Sequence, residues 1–288
     1  MEMTIKSLSQ YVEEISGKFS VINPNHLLEK DKVFFRGQSN KSYDLLPNLF
    51  RKVGNQSQDR FIRFESKMID DVKIRCPNEF DSDILPISLL AKLQHYGIPT
   101  RMLDLTENAL VALFFACCSS KNNDGKVYCF KVDENMLHSA FSFKANIVAD
   151  SYEFSEYTLY KVSSFVSKIK HKEYFPKQYQ NYDKLESEII DLFMKPLFVI
   201  PEYKTERIKR QQGLFLIFPN KIENEYLIDE PVEVLPELYS EIIIPYSEKE
   251  KILEELKLFG ITNCFLFPEF SNEVNSIKNE YERRLKYY

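Results

Sequence analysis

The stretch KLQHYGIPTRMLDLTENALVALFFACCS, residues 92–119, constrains the fold more than any other part of this chain. Its last part, Ala109 to Cys118, is ten apolar residues in a row. A run of that length falls well short of the ~20 residues that span a bilayer. It therefore has to be a helix buried on all sides within a soluble core. Immediately before it stand His95, Arg101, Asp104, Thr106, Glu107 and Asn108. Polar groups carried to the edge of a core must find partners or line an opening, because an unsatisfied buried group is costly. The stretch is either a structural junction or one wall of a ligand site.

Two other stretches repeat the pattern of a glycine and polar side chains set against strand-like apolar residues: VFFRGQ (33–38) and ERIKRQQGLFLIFP (206–219). The chain has only seven glycines, and Gly37, Gly97 and Gly213 fall in these three places. In so glycine-poor a chain, each answers a backbone demand, either a positive φ or the close approach of another group. Arg36, inside an apolar strand, needs a partner for its guanidinium. That partner is Asp104 or a glutamate if the arginine is structural, and an anion in a cleft if it is functional. Arg101 and Asp104 are close enough in sequence to pair with each other. Thr106 or Asn108 caps the apolar helix.

Periodicity predicts helices over 3–17, 59–75, 86–96, 182–194 and 248–260, and a further one over 272–285. Strands are expected at 33–38, 101–106, 126–132, 196–201, 213–219 and 241–247, with 133–195 otherwise irregular. Mixed elements without a βαβ rhythm point to an α+β fold, with mixed, mainly antiparallel sheets and flanking helices. One domain over 1–288 is expected, with its core at about 30–220, the N-terminal helix at 3–17 and a strand–helix extension at 241–288.

Net charge is −5, which argues against nonspecific nucleic-acid binding by a basic surface. Five cysteines in no C-x-x-C pair and four scattered histidines suggest no metal site. The N-terminus has acidic residues and no apolar core, so a cytoplasmic, reduced location with no membrane partner is expected. The P-loop, Rossmann and nucleophile-elbow patterns are all missing from the sequence.

FFRGQSNKSYDLLPNLFR (34–51) and LQHYGIPTRMLDLTENALVALFFA (93–116) together resemble the bacterial FRG domain, named for its Phe-Arg-Gly motif. Leu105 stands where the family pattern has tryptophan, and Ala109 where it has proline. ERIKRQQGLFLIFP is similar to a later family element. The resemblance implies a bacterial chain from a mobile-element, toxin or phage-defence setting.

A weaker likeness is to the ADP-ribosyltransferase fold, which implies NAD as substrate and a macromolecular acceptor, protein or nucleic acid. On that likeness Arg36, with Gly37 and Gln38, takes the strand-one Arg-Gly role. Thr106 takes the ribose-supporting role, and Gln212 with Gln211 takes the late-strand role. His95 completes the implied catalytic set, and Tyr96, Arg101, Asp104 and Asn108 complete the implied NAD-binding set. A glutamine cannot supply the negative charge that an oxocarbenium-like transition state needs, so Glu65, Glu107 or Glu206 would have to substitute. Two further readings stay open: a ligand-binding sensor without turnover, and a hydrolase or nuclease using His95 and Asp104.

Overall fold

The computed structural model describes residues 3–19, 31–52, 61–81, 83–154, 159–179 and 184–269. Strands in chain order are β1 (Met3–Thr4), β2 (Asp31–Gln38), β3 (Met102–Thr106), β4 (Gly125–Asp133), β5 (Leu137–Ser139), β6 (Leu159–Lys161), β7 (Leu197–Ile200), β8 (Gly213–Ile217), β9 (Asn220–Glu223), β10 (Tyr226–Pro231) and β11 (Tyr239–Ile244). Helices are α1 (Leu8–Lys18), α2 (Glu65–Arg75), α3 (Pro86–His95), α4 (Ala109–Cys117), α5 (Phe143–Asp150), α6 (Val162–Ile169), α7 (Leu185–Leu192), α8 (Glu206–Arg210), α9 (Lys249–Leu258) and α10 (Asn263–Leu266). The fold is α+β.

Eight strands form one sheet in the order β1-β11-β4-β2-β3-β8-β7-β5, and β6-β10-β9 form a small second sheet. Every pairing is antiparallel except the two at the ends of the large sheet, β1 with β11 and β5 with β7. The register fixes which side chains share a face, because alternate residues of a strand point to opposite sides. Phe35 pairs with Thr106, and Thr106 with Gly213. Phe35, Gly37, Asp104 and Thr106 therefore point to one face, and Phe34, Arg36, Gln38, Leu103 and Leu105 to the other.

Helices cover the first face in two blocks. One packs α1, α4 and α9 on the β11-β4-β2 half, around Phe35, Val127, Ile242 and Ile252. The other packs α3, α5, α6 and α7 on the β3-β8-β7 half, around Met102, Phe215, Leu197 and Val199. The opposite face is sealed by Leu49, Phe50 and Ile62 against Phe34, Leu103, Phe130 and Leu216.

The apolar run forms α4, with Val111, Ala112, Leu113, Ala116 and Cys117 buried. Its cap is Asn108, whose Oδ1 accepts from the Leu110 and Val111 amides. Thr106 stands one step back, with Oγ1 accepting from the Asn108 amide at 3.0 Å. Gly37 meets the expected demand for close approach: a Cβ there would lie 1.9 Å from the Ala112 carbonyl oxygen. Gly97 meets the other demand, with φ of +90° in the turn after α3.

Several expectations need correction. A short strand, β1, precedes the first helix, which begins at Leu8. The region 133–195 is not irregular, since it holds β5, α5, β6 and α6 as well as α7. Residues 59–60 and 182–183 of two expected helices, and all of the expected helix at 272–285, lie outside the described residues.

Candidate functional site

Strands β2, β3 and β8 carry the three singled-out stretches, and they are neighbours at the centre of the large sheet. Asp104 sits at the middle of β3, a strand paired on both sides, yet its side chain is exposed while its four strand-mates are buried. That pattern requires the helical layer to part above β3, and the two helix blocks do separate there.

The resulting cleft is lined by Gln94 and His95 from the end of α3, Asp104 and Leu105 from β3, Arg207 and Ile208 from α8, and Gln211 from the turn before β8. Its enclosed volume is about 60 Å³. Beside it, between α3 and the β7–α8 connection, lies a second cavity of about 300 Å³. Ala91, His95 and Ile208 line both.

A short hydrogen-bond chain sets the cleft's polar side. Thr100 Oγ1 donates to Gln94 Oε1, and Gln94 Nε2 donates to Asp104 Oδ1 at 2.7 Å. Gln94 thereby fixes the Asp104 carboxylate from the side of α3.

Arg36 approaches the same residue from the other face. Strands β2 and β3 pair only at Phe35–Thr106, so they diverge past that point. Arg36 Nη1 donates to the Asp104 main-chain carbonyl at 2.6 Å, at the seam where the strands part. Its Nε is shut off from solvent and makes no hydrogen bond among the described residues, and the same holds for Gln38 Oε1 two positions on. Burial pushes the Arg36 pKa down to about 10; Asp104 partly opposes the shift, and Arg51 nearby adds to it. Arg36 is still a full cation at neutral pH. The carboxylate partner expected for Arg36 is thus a carbonyl.

Arg101 has no part in the cleft. It is fully buried. Its Nε and Nη2 grip both oxygens of Glu65, and Nη1 donates to Ser151 and Asn220. The expected Arg101–Asp104 pair does not form, and Glu65 is consumed by Arg101. Both are buried, and neither lines the cleft or the cavity beside it.

Thr106 is buried and donates to the Gln211 carbonyl at 2.6 Å, while the Glu107 amide donates to the Gln212 carbonyl at 3.0 Å. Gln212 has a left-handed φ of +47°. These contacts tie β3 to the turn before β8 through main-chain atoms. Gln211 Nε2 donates to the Leu266 carbonyl. Gly37 is covered by α4, and Asn108 serves as a helix cap. Glu206 is exposed and paired with Lys209. Tyr96 is exposed at the mouth of the larger cavity, with its ring edge-on to His95 at 5.1 Å.

Gln94, Ser88, Glu202 and Arg207 were not singled out from the sequence. Ser88 and His95 are seven residues apart and Ala91 lies between them, so helical spacing puts all three on one face of α3. That signal was available. Glu202 comes from the β7–α8 connection and Arg207 from α8, and only the tertiary fold brings them to α3.

Residues 31–125 match the family model of the FRG domain, and the chain contains an FRG domain over that span. The match takes in β2, α3, β3 and α4 but ends before α8 and β8. Comparisons with curated proteins and with solved structures return no match. Among the described residues, no helix is long and apolar enough to cross a membrane, and no group of three or more His, Cys, Asp or Glu could hold a metal ion.

Proposed function

We propose that the cleft over β3 takes NAD as a substrate and that the chain transfers its ADP-ribosyl group to a macromolecular acceptor, as an effector in a bacterial toxin or phage-defence setting. The observation that carries the reading is the exposed Asp104 carboxylate on a central strand, with the Arg36 cation bound to the same residue's carbonyl. The FRG domain at residues 31–125 supports it.

The chemistry asks for little more. Breaking the bond between ribose C1′ and the nicotinamide nitrogen sends the bonding electrons to nicotinamide, which leaves neutral. Positive charge builds on the ribose. A fixed carboxylate beside that carbon lowers the barrier, because it is oriented before the charge appears. Asp104, held by Gln94, is such a group, and it takes the role for which the late-strand glutamines carry no charge. The acceptor then bonds to C1′ and loses its proton, for which His95 is the nearby base. Arg207 in the cleft wall supplies positive charge for the pyrophosphate, and Arg36 holds the Asp104 main chain from the opposite face of the sheet. Gln94 and Gln211 offer amides for orienting hydroxyls.

The test is release of labelled nicotinamide from NAD, with and without cell lysate. Wild type is expected to release it. Asp104→Asn is expected to lose roughly 100-fold or more, the scale at which removing one preorganised charge-stabilising group acts. Release unchanged in Asp104→Asn would sink the reading.

A second reading has its own support. His95 and Asp104 line the same pocket, an arrangement suited to hydrolysis with an acid–base pair. Nucleic-acid cleavage that is indifferent to NAD and lost in His95→Ala would favour it.

A further inference from the structure

The cavity between α3 and the β7–α8 connection adjoins the Asp104 cleft and shares Ala91, His95 and Ile208 with it. Its volume, about 300 Å³, is at the low end of small-molecule sites, roughly 300–1,000 Å³. It can hold one nucleoside-sized group but not a dinucleotide. Its floor is hydrocarbon: Ile84, Ile87, Ala91, Pro201 and Ile208.

One polar group is fixed in the wall. Ser88, itself buried, donates to Glu202 Oε1 at 2.6 Å, and Lys204 holds the other carboxylate oxygen at 3.1 Å. The Ser88 hydroxyl holds the Glu202 pKa below the ordinary carboxylate range, so this wall stays anionic. Glu79 and Asp81 also line the cavity. Lys92 is engaged by Glu79 at 3.1 Å. An anionic ligand group would therefore be repelled here, whereas a neutral ring bearing an N–H donor would be held. Tyr96 stands at the mouth, 69% exposed, with a ring face free to cover a planar group.

Two cations, Lys92 and Lys204, also line this cavity, each paired with one of its carboxylates. Arg207 lines the small cleft, which joins the cavity at His95. Charge thus runs from an acidic, apolar chamber, past Arg207, to Asp104.

Resting on the reading of the cleft as a dinucleotide site, we infer that this cavity is a nucleobase chamber, taking a base with an exocyclic amine that donates to Glu202. For NAD that base is adenine. Its phosphates then leave the acidic chamber toward Arg207, and the reactive ribose reaches Asp104.

Titration calorimetry of the full chain with adenosine and with purine riboside tests this, because purine riboside lacks the amine and carries no N–H on its ring. Wild type is expected to bind adenosine about tenfold more tightly, the scale of one buried hydrogen bond with a charged partner. Glu202→Gln is expected to bring the two nucleosides to near parity. Ala91→Trp, which fills the chamber, is expected to abolish adenosine binding while far-UV circular dichroism stays native. Equal binding of the two nucleosides by wild type, or no adenosine binding, overturns the inference. So does unchanged binding in a folded Ala91→Trp protein; where that variant does not fold, the Glu202→Gln ratio decides. Adenosine binding without nicotinamide release would sink the transferase reading and leave the chamber standing. Release without adenosine binding would do the reverse.

Discussion

Arg36 and Arg101 both set a guanidinium against strand β3, Arg101 fully buried and Arg36 half-buried, and their surroundings are opposite. Arg101 has Glu65, Ser151 and Asn220 on its nitrogens. Arg36 has one carbonyl on Nη1 and nothing on its enclosed Nε among the described residues. Arg101 sits under the α2–α5 side of the core, away from any cavity. Arg36 sits at the seam of two diverging strands, beside an exposed carboxylate. Full satisfaction marks a group that holds the fold together. Partial satisfaction, at a position where the sheet opens, marks a group kept for another purpose. The same residue type, one strand apart, thus separates stability from function.

The largest expected effect falls on Arg101. Arg101→Ala leaves Glu65 buried and uncompensated, which destabilises by about 3–5 kcal/mol. Chemical denaturation checks it, and the double variant Arg101→Met with Glu65→Leu should recover most of the loss. A small loss in the single variant would remove one side of the comparison.

Gly37→Ala comes next. The added methyl meets the α4 backbone at Ala112, and a helix backbone cannot move aside as a side-chain tip can. A loss of about 1–3 kcal/mol or more is expected by the same measurement. That result would show that the glycine beside Arg36 serves packing.

Arg36→Ala should be nearly neutral for stability, within about 1 kcal/mol, since it trades a single hydrogen bond for relief from burying a charge. A loss as large as that of Arg101→Ala would erase the contrast.

The smallest effect is at the rim. Asp124, held below the ordinary carboxylate range mainly by Lys41 and by the Tyr246 amide, is half-buried. A depressed carboxylate pKa contributes stability above the unfolded value, and the contribution disappears as pH falls through the folded one. Asp124→Asn should therefore cost no more than about 1 kcal/mol at neutral pH. The cost should vanish below the folded-state pKa, as followed by thermal melts across acidic pH.

Much of this was legible in the sequence. The apolar run 109–118 reads as a buried helix, and glycine scarcity foretold the backbone demands at Gly37 and Gly97 but not at Gly213, where an added Cβ would meet its nearest neighbour at an ordinary 3.6 Å. The adjacency of the three polar–apolar stretches was foreseeable only through the family resemblance. Helix α5 escaped notice because residues 145–150 are buried on every side, so no polar face gives it a period. Helix α6 did carry a period in Val162, Phe165, Val166 and Ile169, hidden among the lysines and aromatics around it. Within the site, sequence distance misled. Arg101 and Asp104 are three residues apart but face different surroundings, while Arg101 finds Glu65 from 36 positions away. The cleft carboxylate was sought among glutamates, yet an exposed residue at the centre of a buried strand is visible only once its neighbours are known.

The central claim is that Arg36 is held for function rather than for the fold. The most direct test measures nicotinamide release from NAD and the unfolding free energy on the same preparations of wild type and Arg36→Ala. The account predicts turnover in wild type, a loss of roughly 100-fold or more in the variant, and stabilities that agree within about 1 kcal/mol. Equal turnover in the two proteins, or a variant as unstable as Arg101→Ala, would contradict it.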